Sequence, residues 1–205
     1  MVFKLTYQIS ILFFLALFGT ILIACNQLLG EPSTPTPVIS EPVAEVRPAR
    51  AKLPEATKRR ILNDPRQEHT ATLLADGRVL VAGGAGSIGP FPWLEIYDPI
   101  EDTWSREGRM PVSRVFHTAT LLQDNRVLIA GGLSETTIVN SAETFNPAKR
   151  ELISTGLMYK KRERHTATLL NDGRVLVTGG LAPEGPTNST EVYDPNTNRW
   201  TRTGK

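Results

Sequence analysis

Cys25 is the only cysteine in this 205-residue chain. It lies inside an N-terminal apolar region. The rest of the chain therefore has no disulfide framework, no thiolate zinc site and no thiol nucleophile. An excess of one charge is also lacking: 23 basic residues face 21 acidic ones, a formal +2. That excludes the electrostatic footprint of a nucleic-acid binder. The common enzyme signatures are missing too. There is no phosphate-cradling Gly-x-x-x-x-Gly-Lys, no Gly-x-Ser-x-Gly and no His-Glu-x-x-His. No apolar run reaches the roughly 20 residues that a membrane-spanning helix needs.

The longest apolar run, Ile9 to Ala24, has 16 residues and follows Lys4 and the free amino terminus. A short apolar run behind a small positive region reads as a secretory signal. It ends Leu22-Ile23-Ala24-Cys25, which resembles the bacterial lipobox. The resemblance implies a signal peptide over residues 1–24, cleavage before Cys25, and diacylation of that cysteine. The chain is then exported and lipid-anchored at the extracytoplasmic face of a bacterial membrane, each buried CH₂ contributing about 0.8 kcal/mol. Residues 25–60 follow as a disordered, proline-rich tether. Six prolines fall between Glu31 and Pro54, and no helical or strand period persists. Proline removes backbone donors and favours extended conformation.

After the tether the chain repeats itself. His69, His117 and His165 are 48 residues apart, and Gly83, Gly131 and Gly179 keep the same step. So do Glu95, Glu143 and Glu191. Each unit opens HTATLL, turns, and continues Arg-Val-Leu to a glycine pair: Gly83-Gly84, Gly131-Gly132 or Gly179-Gly180. Ten residues later comes Glu-x-Tyr/Phe-Asp/Asn-Pro, then Trp104, Leu152 or Trp200. Short strands joined by tight turns predict a four-stranded antiparallel unit. Asp76-Gly77 and Asp172-Gly173 are read as two-residue type I′ hairpins, with Asp124-Asn125 their equivalent. The Asp-Pro and Asn-Pro steps predict turns held by a side-chain bond to the backbone.

The glycine pairs, Tyr97 and Tyr193 in the third strand, and Trp104 and Trp200 in the fourth resemble the kelch repeat. The resemblance implies an all-β fold, a partial kelch β-propeller. Three blades are expected, over about residues 61–108, 109–156 and 157–205. The histidines, glycine pairs, glutamates and aromatics named above are then structural repeat residues. The chain stops where a fourth unit would begin. The expectation is a truncated product, or further blades or a second chain that close the ring, because terminal blades would otherwise bare apolar faces.

Three histidines once per blade are expected to be too far apart to share a metal, and no metal or cofactor is expected. Each is read as bonded to neighbouring backbone. Aligning Tyr97 with Trp104 puts Glu95 opposite Arg106, Glu191 opposite Arg202 and Glu143 opposite Ser154, predicting cross-strand pairs. Arg66, Arg114 and Arg162 precede the histidines by three and are candidates to grip an anionic ligand at the channel mouth. Phe91 and Trp93, large aromatics in an otherwise polar loop position, are candidate binding residues. The expected function is a surface-anchored scaffold for a protein or glycan of unknown identity. The alternative is a fragment of a carbohydrate-active propeller enzyme, of oxidase or epimerase type, whose catalytic residues lie outside this chain.

Overall fold

A computed structural model of the chain describes residues 58–203. The signal segment, Cys25 and all but the last residues of the tether lie outside the described residues. Within them every regular element is a strand.

The longer strands form three antiparallel sheets in sequence order, beside two small two-stranded hairpins. The first blade consists of Thr70–Leu73, Val79–Ala82, Trp93–Asp98 and Thr103–Arg109. The second consists of Thr118–Leu121, Val127–Ala130, Ala142–Asn146 and Glu151–Ser154. The third consists of Thr166–Leu169, Val175–Thr178, Thr190–Asp194 and Arg199–Thr203. Each blade is a meander from an inner first strand to an outer fourth strand. The first strands of successive blades lie beside one another, which identifies them as the inner edge.

The first blade is wider than the sequence predicts. Lys58–Arg59 pairs with its outer strand, opposite Ser105 and Trp104. This strand lies within the segment, 25–60, read from the sequence as tether. Nothing in the local pattern marks this strand, because its pairing depends on an outer edge that exists only after folding.

The turns between first and second strands also differ. A type I′ turn needs positive φ at both central residues. Here only Gly77, Asn125 and Gly173 are positive, at 86°, 65° and 85°. The Gly77 amide donates to Leu74 at 3.0 Å and the Leu74 amide to Arg78 at 2.8 Å. The loop is therefore three residues long, a type I turn closed by a left-handed residue. The aspartate is not a left-handed position. It accepts from the Arg78 amide at 3.1 Å, as Asp124 and Asp172 do from Arg126 and Arg174. The Asp-Pro turns form as the sequence predicts, Asp98 accepting from the Ile100 amide at 2.9 Å and Asn146 from Ala148 at 3.0 Å.

The apolar core lies between blades, not within them. Leu74, Leu80 and Ala82 of the first blade pack against Val127, Ile129 and Phe145 of the second. Leu122, Leu128 and Ala130 of the second pack against Val175, Val177 and Tyr193 of the third. Second strands are apolar on both faces because each blade has two neighbours to meet. Tyr97 and Trp104 stand opposite each other with ring centroids 5.1 Å apart, as do Tyr193 and Trp200. Leu152 takes the tryptophan position in the second blade and packs, partly buried, against the first seam.

Candidate functional site

Arg114 and Arg162 are among the largest fully buried side chains. Arg114 donates to the Gly131 and Ser141 carbonyls, both at 3.0 Å, and forms a 2.8 Å ion pair with Glu143. Arg162 repeats this, donating to Gly179 at 2.7 Å and Ser189 at 3.1 Å and pairing with Glu191 at 2.8 Å. Arg66 bonds Gly83 at 3.1 Å and pairs with Glu95. A guanidinium suits this place because its fixed fork reaches two carbonyls and a carboxylate at once. The expectation that these arginines grip a ligand is not how the structure uses them. Their terminal guanidinium nitrogens bond carbonyls and the glutamate of their own blades, in ion pairs closed off from solvent.

The glutamates show how register and partner can diverge. Glu95 stands opposite Arg106, Glu191 opposite Arg202 and Glu143 opposite Ser154, as aligned from sequence. Yet the ion-pair partner of each is the arginine 29 residues earlier. Arg106 turns to Asp64 instead and lies 4.3 Å from the Trp93 ring centroid. The buried carboxylate takes the dry guanidinium because an ion pair gains more where water is excluded.

The histidines do not bond neighbouring backbone through Nε2. His117 Nε2 lies 3.0 Å from the Thr70 hydroxyl of the preceding blade, and His165 Nε2 3.0 Å from Thr118. Both rings are buried and each Nδ1 has no partner. Burial, then the nearby Arg114 guanidinium, pushes the His117 pKa down to about 3. Burial, then Arg162, pushes His165 down to about 4. His69 has no preceding blade among the described residues and is exposed. No group of three metal-ligating side chains converges among the described residues.

A pH dependence follows. The unfolded chain takes up protons near pH 6.5, whereas the folded histidines resist until about 3 and 4. Stability is thus complete above pH 6.5. It falls by about 1.4 kcal/mol per histidine for each pH unit below that, down to the folded values. The melting temperature should drop steeply between about pH 7 and about pH 4.5. Changing both His117 and His165 to Gln should flatten the curve over that range. An unchanged slope in the double variant would mean that other groups carry the transition.

Phe91 and Trp93 are half-buried. The Phe91 ring packs on Gly86, with the Arg66 guanidinium 5.5 Å from its centroid. Trp93 lies between Arg106 and Arg109, at 4.3 and 5.9 Å. These aromatics fold back onto the first blade rather than stand free.

The loops between second and third strands are more ordered than their composition suggests. Ala85–Gly86 pairs with Gly89–Pro90, and Leu181–Ala182 with Gly185–Pro186. In the second blade Leu133 bridges Ile138. Each loop is thus a small hairpin raised from its blade. The tips differ: Ser87-Ile88, Glu135-Thr136 and Pro183-Glu184. All six residues are exposed, Ile88 to 92%.

Sequence reasoning missed the seam partners. Thr70 and Thr118 look like ordinary strand residues. Glu107 and Arg150 form a 2.6 Å ion pair between the first and second blades, and no repeat position announced it. A cross-blade contact leaves no periodic trace when the equivalent residue, here Thr155 for Glu107, differs.

Residues 69–111 and 164–204 match the family model of the kelch motif. The unmatched middle repeat, with Phe145 and Leu152 in place of tyrosine and tryptophan, folds into the same sheet. Comparison with curated proteins returned no match. Kelch motifs and blade-like antiparallel sheets together support a kelch-repeat β-propeller architecture for the described residues.

Proposed function

We propose that these kelch blades form an exported, lipid-anchored scaffold that binds a protein or glycan through the hairpin tips between second and third strands. One observation carries the reading. The repeat arginines and glutamates, with His117 and His165, are buried in ion pairs or blade seams, whereas the hairpin tips are exposed and differ from blade to blade on an ordered frame. Loops on a rigid scaffold are where binding diversifies.

The probes are a glycan array and the extracellular proteins of the source organism. Wild-type chain should capture a ligand from one of them. Exchanging Ser87-Ile88 and Pro183-Glu184 for Asn-Gly should lose that ligand without changing the melting temperature. Retained capture would move the site off the tips. Turnover of a sugar with no capture in either panel would favour the enzyme reading.

The anchor rests on Cys25 at the end of the short apolar run. Cys25→Ser should leave the chain uncleaved or release it from the membrane fraction. A cleaved variant that still sediments with membranes would mean that something else anchors it.

A further inference from the structure

The segment that enters each first strand is tied to the root of its own hairpin. Gln67 bridges Ala85, Val115 bridges Leu133 and Glu163 bridges Leu181. The next residue in each blade, Glu68, Phe116 or Arg164, has positive φ, at 57°, 55° and 52°. That conformation is uncommon outside glycine, and most of all for a bulky side chain such as phenylalanine. Strain of this kind concentrates where ligands are held. The residue after it is the repeat histidine. The fold thus sets the backbone, while an acid, an aromatic and a base occupy the same position. A repeated backbone carrying an unrepeated side chain is what the hairpin tips also present, and such places are where binding diversifies.

The position opens onto the hairpin face and not onto a seam. Phe116 belongs to the second blade, whose neighbours on both sides are described, yet it is only half-buried. First strands form the inner edge, so the position lies on the channel side of the hairpins. The tips Ser87-Ile88 and Glu135-Thr136 stand two to three residues beyond the roots Ala85 and Leu133. At the rise of a strand that is about 7–10 Å.

Phe116 and Arg164 meet across the second seam. The Arg164 amide donates to the Phe116 carbonyl at 2.9 Å, and the guanidinium carbon lies 3.5 Å from the Phe116 ring centroid. A guanidinium held over a ring keeps its N–H donors for a further partner. Arg114, Arg162 and Arg174 each pair with a carboxylate. Among the described residues none pairs with Arg164.

We infer that Glu68, Phe116 and Arg164 form the floor of the ligand site between the hairpins, and that this floor takes a carboxylate-bearing sugar. Arg164 meets the sugar carboxylate with its fork of donors. The remaining surface of Phe116 lies against ring C–H groups, and Glu68 and Glu135 accept from hydroxyls. An acidic peptide fits this set poorly, because it brings several carboxylates and few donors to the two glutamates. A sugar acid brings one carboxylate and several hydroxyl donors on each ring. The inference rests on the reading that the hairpin face binds a ligand, and supplies the chemistry of that ligand.

The test is the affinity of the full chain, in mild detergent, for a panel of uronic-acid oligosaccharides. The same oligosaccharides as methyl esters and poly-glutamate are measured beside them. At least one uronic-acid member should bind, and its methyl ester should bind more weakly. Arg164→Gln should weaken that binding about 10- to 100-fold, as loss of a hydrogen bond to a charged group does. Arg164→Lys should restore little of it, since an ammonium has no planar fork. Lys161→Gln removes an exposed charge from the same loop and should leave the affinity unchanged. Arg164 and Lys161 are both exposed, so strand circular dichroism should persist in all three variants. No binding in the panel, binding of poly-glutamate alone, equal binding of acid and ester, or wild-type affinity in Arg164→Gln would each overturn the inference. Exchanging the tips Ser87-Ile88 and Pro183-Glu184 separates it from the reading it rests on. Loss of the sugar with Arg164→Gln alone would keep the floor and discard the tips, and loss with the exchanged tips alone would do the reverse.

Discussion

Arg114→Met should cost the fold about 3–5 kcal/mol, the range seen when one partner of a buried ion pair is removed. The methionine fills much of the space, so a cavity is not the main effect. What remains is the Glu143 carboxylate, 2% exposed in the residue as a whole, with its guanidinium gone. The Gly131 and Ser141 carbonyls and the Ser141 hydroxyl lose a donor at the same time. Burial already pushes the Glu143 pKa up, and Arg114 is what opposes it. Without that charge the carboxyl should protonate on folding, making the variant less stable as pH rises above the ordinary glutamate range of about 4.3. Denaturant melts of Arg114→Met and of Arg114→Met with Glu143→Leu would separate the terms. The double variant should recover much of the loss, since a buried pair replaced by apolar groups is often neutral. A single variant as stable as wild type would show that the pair contributes nothing.

Gly131→Val should prevent stable folding of the seam between second and third blades. Gly131 has φ of +64°, a conformation costing other residues about 1–2 kcal/mol. Its surroundings add more than strain. A Cβ there would lie 2.6 Å from the Arg162 carbonyl and 2.7 Å from His165 Cε1. Those atoms belong to the next blade, and the neighbouring Gly132 amide bonds the same carbonyl at 2.8 Å. Gly77→Val isolates the two effects. Gly77 also has positive φ, at 86°, but no atom lies within 4 Å of its Cβ position. Gly77→Val should lower the melting temperature modestly, and Thr137→Val, on an exposed loop, hardly at all. If Gly131→Val melts no lower than Gly77→Val, close approach of blades is not what the glycine serves.

The repeat was legible because each blade buries the same set of positions against a like neighbour. A constraint met three times writes itself into the sequence three times. Strand order, the alignment of Tyr97 with Trp104 and the placing of Glu95 opposite Arg106 all follow from that register. The turn after the first strand was misread because Asp-Gly serves both a type I′ hairpin and a type I turn closed by glycine. Only the Gly77 amide bond to Leu74 separates them.

The arginines show where the reading stopped. Their position before each histidine placed them at a blade end, and a cationic residue at a blade end looks like a ligand grip. The repeat itself said only that an arginine and a glutamate recur 29 residues apart within each blade. That they meet, and that the meeting place is dry, depends on how the entering loop and the third strand of the same blade fold together.

The sequence by itself determined an all-β chain of repeated blades, their meander order and the faces that must be buried. These follow from local pattern, turn chemistry and period. The tertiary structure alone decided what each polar residue does. Glu95 answers to Arg66 and not to Arg106, His117 reaches Thr70 of the preceding blade, and Lys58–Arg59 pairs with an outer edge 45 residues away or more. The physical reason is that register fixes which backbones are opposite. Partner choice among charged and polar side chains depends on which of them lose their water, and that is settled only when each blade folds and, for the histidines, when one blade closes on the next.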